Sequence, residues 1–255
     1  MTVTRFPFLP VPSNSVPKQW IYSSSATQKY ALGAVLDLPD GRKFRYAYNG
    51  GVILYKALMA TAAAIETKWE SEVQTAKTAA VGAYDIPVLI TTASSLAAHE
   101  WDEGWFNCES GLAGAIGDMY KIKSHTVHAT AVTITIEDVG GVRTTLDANQ
   151  VCTIIRSEYM AVIVAAATAI TGKAVGVPLV DIPINEYCWL QTRGPCPLIV
   201  DTGETYVLGE PVGYTSGGIT VAGTAGKTAV DDATWGHALT NSAAAEAGIV
   251  DLCID

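Results

Sequence analysis

Charge is scarce in this 255-residue sequence. Asp, Glu, Lys and Arg make up 16% of it, against 49% apolar residues, whereas charged residues average about 25% of a soluble domain. That deficit leaves too few charges to cover an isolated globule, so part of the surface is expected to meet lipid or protein. Long apolar runs are missing as well. The most apolar stretch, Met160 to Ile170, stops at Thr171-Gly172-Lys173, well short of the roughly 20 residues a spanning helix needs. The N-terminal segment carries one Arg and then Phe6-Pro7-Phe8-Leu9-Pro10-Val11-Pro12; proline at that density rules out the helical apolar region of a signal peptide. No membrane partner is therefore expected, and contact with other protein is left to explain the missing charge.

Basic clusters are absent beyond Arg42-Lys43-Phe44-Arg45, and the net charge is −9. Holding a nucleic-acid backbone takes several converging cations, so nucleic acid is not an expected partner. The five cysteines, Cys108, Cys152, Cys188, Cys196 and Cys253, lie far apart and are odd in number. None has the close spacing of a zinc site, and buried Cys commonly serves as a small hydrophobe.

Recognisable catalytic spacing is also lacking. His125-Thr126-Val127-His128 follows a β-type run, where positions three apart face opposite ways; ordinary strand-end histidines are the better reading. His99-Glu100-Trp101-Asp102-Glu103 gathers three carboxylates beside an imidazole, which reads as a solvated turn more readily than as an acid/base pair. Gly223-Thr224-Ala225-Gly226-Lys227-Thr228 ends like a phosphate loop, but its first glycine stands two residues too close and Asp231-Asp232 follows in place of an apolar helix. No serine sits in G-x-S-x-G, and the histidines show no triad order. No catalytic residue, metal ligand or cofactor is assigned, and the chain is not expected to be an enzyme.

What is present reads as mainly β with one long helix: a β-sandwich or small barrel plus an extended N-terminal arm. Residues 1–22 form the arm, too proline-rich for a helix and, with Phe6, Phe8, Leu9, Trp20 and Ile21, too apolar for a solvated tail. Those five residues are the candidate partner-binding positions. Residues 23–84 are expected to hold a hairpin about Pro39-Asp40-Gly41 and then a helix from Val52 to about Ala80. Ile65, Trp69, Val73 and Ala76 recur there at helical spacing, although Thr61, Thr67, Thr75 and Thr78 weaken it. Residues 85–255 read as a β-rich domain of short strands separated by Gly, Pro and Asn/Asp turns; one compact unit with 23–84 is the other arrangement left open.

Three segments carry a resemblance: Met119 to His125 after a Gly-rich turn; Glu186 to Pro195, read as a buried aromatic strand ended by a Gly-Pro turn; and Leu208-Gly209-Glu210-Pro211-Val212. With Trp235-Gly236-His237-Ala238-Leu239 and a closing strand to Ile254, their order over roughly residues 100–255 resembles tailed-phage capsid decoration (cement) proteins. The resemblance implies a virion protein on the capsid exterior, made in the host cytoplasm. Its implied partners are the major capsid protein and its own copies, as a homotrimer that reinforces contacts between capsid subunits. Two alternatives stay open at this stage. One is another virion component such as a tail, baseplate or fibre adaptor. The other is a carbohydrate-binding β-domain that uses exposed Trp101, Trp105 or Trp189.

Overall fold

The structure, a computed structural model, describes residues 18–64, 69–70, 73–90, 96, 98–111, 114–126, 131–167, 171–214, 221, 223–228 and 234–255. Among these residues the fold is all β, and no helix is found. The chain divides into two compact units. One takes residues Met1–Ala63 together with Glu158–Asp255, and the other takes Ala64–Ser157.

The unit that lies inner in sequence, between the two segments of the outer one, is a closed antiparallel barrel of β4 (Val73–Thr75), β5 (Asp85–Ile90), β6 (Trp105–Cys108), β7 (Met119–His125), β8 (Ala131–Ile136) and β9 (Val151–Ile155), hydrogen-bonded in the order β4-β5-β8-β7-β6-β9. Strict alternation makes it. Ile86, Val88 and Ile90 on β5, Phe106 and Cys108 on β6, Tyr120 and Ile122 on β7, and Val132, Ile134 and Ile136 on β8 all point into one buried core. Closure leaves this sheet without an open edge.

The outer unit holds β1 (Val35–Asp37), β2 (Lys43–Asn49) and β3 (Ala60–Thr61) before the barrel. After it come β10 (Ile163–Val164), β11 (Ala174–Pro178), β12 (Glu186–Ile199), β13 (Pro211–Gly213), β14 (Gly226–Lys227), β15 (Thr234–Ala238) and β16 (Ala247–Cys253). They form a ten-stranded sheet ordered β10-β3-β11-β12-β16-β15-β13-β14, with β2 pairing both β1 and β12. The hairpin about Pro39-Asp40-Gly41 is present, with Asp37 opposite Lys43.

Two expectations are corrected. The long helix over 52–80 is absent from the described residues of that span. Residues 51–58 form a loop, Ala60–Thr61 is β3, and Val73–Thr75 is a barrel strand paired to both β5 and β9. The β9 partner lies far along the chain, and the ladders to β5 and β9 satisfy the backbone groups a helix would have satisfied locally. Buried Thr75 adds a hydroxyl that donates to the Asp147 carbonyl and accepts from the Gln150 N–H.

The Gly-Pro turn after Thr192 is also absent, because β12 runs through it for 14 residues. Gly194 takes a left-handed φ of 84°, which glycine adopts at little cost. The buried Gln191 amide donates to the carbonyls of Arg193, Gly194 and Pro195 at 2.9–3.2 Å and steadies the irregular register there. The prolines are tolerated for a positional reason. Ile199 sends its N–H to Ala57, away from β16. Pro195 and Pro197 share its parity, so neither removes a donor from the β12–β16 ladder.

Candidate functional site

β12 separates two clusters in the outer unit. Cys188 and Leu190 face one side with Ala47, Leu54, Val162 and Ile182. Trp189 faces the other with Ile21, Leu38, Phe44 and Tyr46.

The second side carries residues 18–22, the described end of the segment expected to form an arm. Tyr30, Tyr46 and Trp189 meet ring to ring at 5.0–5.3 Å, and Tyr187 stacks on Tyr46 at 5.9 Å. Gln19 is buried beside them. Its side-chain nitrogen donates to the Tyr187 carbonyl at 2.8 Å, its side-chain oxygen accepts from the Tyr46 hydroxyl at 2.7 Å, and its carbonyl accepts from the Trp189 indole at 3.2 Å. Burial pushes the Tyr46 phenol up to about 12, which keeps it a donor. Of the five candidate partner-binding residues, Ile21 is thus part of the chain's own core and Trp20 is 49% exposed. Phe6, Phe8 and Leu9 lie outside the described residues.

The first side carries an apolar surface groove of about 790 Å³, lined chiefly by Val52, Ile53, Tyr55, Leu58, Val164 and Ile184, with no charged side chain among its lining residues. It is built on paired backbone. Leu54 and Ile182 exchange hydrogen bonds at 3.1 and 2.8 Å, the Lys56 N–H reaches the Asp181 carboxylate at 2.9 Å, and the Asn49 side chain donates to the Ile182 and Pro183 carbonyls. Leu54 turns inward to the core while Val52, Ile53, Tyr55 and Ile184 stay 44–60% exposed. Apolar surface gathered in one place marks an interaction site far more often than scattered exposed residues do. Sequence reasoning missed this groove because its rail fell inside the span read as a helix.

The remaining sequence candidates are structural parts. In the barrel unit, His99-Glu100-Trp101-Asp102-Glu103 is a tight turn with left-handed His99 and Glu103. His99 Nδ1 lies 2.7 Å from one Asp102 oxygen, Glu100 pairs with Arg156 at 3.4 Å, and the Glu103 carbonyl accepts from Lys121. The Asp102 and Glu100 carboxylates are thus drawn to separate partners. His125 sits against the turn, accepting the Trp101 N–H at Nε2 (3.2 Å) with Nδ1 at 3.2 Å from the Thr126 carbonyl, so both ring nitrogens have partners. His128 lies outside the described residues. Among the described residues no three His, Cys, Asp or Glu side chains gather to hold a metal. Gly226-Lys227 of the phosphate-loop look-alike is strand β14, paired with β13. Trp101 and Trp189 are buried, and Lys121 covers the Trp105 ring at 4.6 Å.

Cys108 and Cys152 stand directly opposite each other across β6 and β9 inside the barrel. No spacing rule could have paired them. The neighbouring Cys108 thiol and burial together hold Cys152 protonated far above the usual thiol range. Burial pushes Cys188 and Cys196 up to about 12. A protonated, buried thiol is a poor nucleophile. In the native protein only exposed Cys253 should therefore react rapidly with Ellman's reagent, and all five cysteines should react after denaturation. Rapid labelling of two or more native thiols would contradict these burials.

Comparison with known proteins adds no relative: no family model, no curated protein and no solved structure matches the chain.

Proposed function

We propose that this chain is a structural virion protein that binds the outer surface of a phage capsid and reinforces contacts between major capsid subunits. It acts through surfaces and carries no catalytic role. Its partners are the major capsid protein and its own copies, arranged as a homotrimer on the capsid exterior, with no part for nucleic acid or membrane. The observation that carries the reading is the uncharged apolar groove of the outer unit, set in a chain with only 16% charged residues. Interfaces of standard size bury about 1,600 Å², so repeated lateral contacts of this kind stabilise a shell without any chemistry. The motif series from Met119 to Leu239 supplies the specific resemblance.

The experiment is co-sedimentation of the purified chain with expanded phage capsids, followed by location of the bound chain by electron microscopy. The expected result is binding that saturates at a fixed ratio to the capsid protein, with density over the whole shell. A stable monomer without capsid affinity would sink the proposal, and density confined to the tail would replace it with the tail-component reading.

A further inference from the structure

The groove and the proline-rich arm are chemically matched, and the matching says what fills the groove. We infer that the groove of one copy receives residues 6–12 of a neighbouring copy, so that the arm is the strap joining protomers. The inference rests on the proposed role as a self-associating shell protein and names the contact by which copies associate.

Three observations carry it. The first is chemistry: Phe6-Pro7-Phe8-Leu9-Pro10-Val11-Pro12 is uncharged and apolar throughout, as is the lining of the groove, which includes Tyr55 and Pro183. Proline-rich segments bind apolar grooves that present an aromatic ring, because the polyproline II form loses little entropy on docking. At that helix's three-residue period Phe6, Leu9 and Pro12 share one face.

The second is reach. Gln19 is fixed on the aromatic side of β12, and the ten residues from there to Leu9 span at most about 33–36 Å when extended. That length crosses readily to an adjoining molecule.

The third is direction. The arm's root lies with Trp189 and Tyr46 on one face of the β2–β12 ribbon, while the groove's rail covers the cluster of Cys188, Leu190 and Ile182 on the other. An arm leaving from the far face is placed to serve the next copy. Passing each arm to a neighbour's groove is a head-to-tail contact, which closes into a ring when the rotation permits.

The test uses the full chain with Cys253 changed to Ser. One preparation carries Leu9→Cys and a second, differently tagged, carries Val52→Cys; they are mixed under mild oxidation and resolved without reductant. The expected product is a disulfide-linked pair containing both tags. In parallel, Ile184→Asp and Leu9→Asp should each weaken self-association at least about tenfold by light scattering, with the near-ultraviolet circular dichroism of the folded protein retained. Cross-linking only within one chain, when both cysteines are placed in it, would overturn the assignment to a neighbour. Failure to cross-link, or unchanged self-association in both Asp variants, would overturn the groove as the arm's receptor. Capsid binding is scored separately. A chain that decorates capsids without cross-linking removes this inference alone, and one that cross-links without binding capsids removes the proposed function alone.

Discussion

Replacing Trp101 with alanine should lower the stability of the barrel by about 3–5 kcal/mol, the range for emptying a fully buried aromatic site. The expectation follows from where the ring sits. In an antiparallel barrel the starts of β4, β6 and β8 and the ends of β5, β7 and β9 fall at one mouth. Trp69, Leu96, Trp101 and Arg156 lie just outside those strand ends, and His125 is the last residue of β7. Trp101 has no exposed surface and meets Trp69 edge to face at 5.7 Å and His125 at 5.4 Å, while the Arg156 guanidinium covers Trp69 at 5.2 Å. Together these side chains plug the mouth. Removing the central ring leaves a void whose walls belong to several strands and cannot collapse independently. Urea unfolding, with hydrogen exchange at barrel amides such as Ile134 to locate the loss, gives the measurement. A change under about 1 kcal/mol would show that the ring does not seal the core.

Gly236→Ala should be among the most damaging small substitutions in the outer unit, costing about 3 kcal/mol, at the upper end of what overpacking exacts. A Cβ at this position would stand 2.2 Å from the Asp251 carbonyl oxygen and 2.9 Å from Val250 Cγ1. The oxygen belongs to backbone held by the β15–β16 ladder, in which Gly236 faces Leu252 and His237 faces Asp251. On its other side Gly236 faces Val212 of β13. Relief therefore requires strands to separate instead of a side chain to rotate. Gly203→Ala is the informative contrast: nothing lies within 4 Å of its Cβ position, although its φ of 91° strains any side chain. Gly236 is not left-handed, so thermal unfolding of the two variants compares a steric cost with a conformational one. A loss at Gly236 no larger than that at Gly203 would show that the strands relieve the contact easily.

These two sites show what the sequence made legible. The hairpin at Pro39-Asp40-Gly41 was readable because its turn chemistry is local. Most barrel strands were readable because burial on one face imposes a period of two, as along Ala131–Ile136. The span 52–80 misled for the complementary reason. Trp69, Val73 and Ala76 fall at helical spacing, but what fixes Val73–Thr75 is pairing with Val151 and Cys152, a contact that no local window contains. The Gly-Pro pair misled because Gln191 supplies from its side chain what a turn would have supplied from the backbone. Of the candidate site, the arm was visible as composition. The groove was not, since Val52, Ile53 and Ile184 become one surface only once Leu54 pairs with Ile182.

The barrel is also a cassette. The Arg156 guanidinium donates to the Ala64 carbonyl at 2.8 Å, so the segment that begins this unit and the one that ends it are held side by side. A unit whose two ends meet can be excised, lengthened or exchanged with little strain on the strands that flank it in sequence, which is why insertions are tolerated at such points. The groove and the aromatic cluster about Gln19 are both built from residues of the outer unit alone, so they do not depend on what the cassette contains.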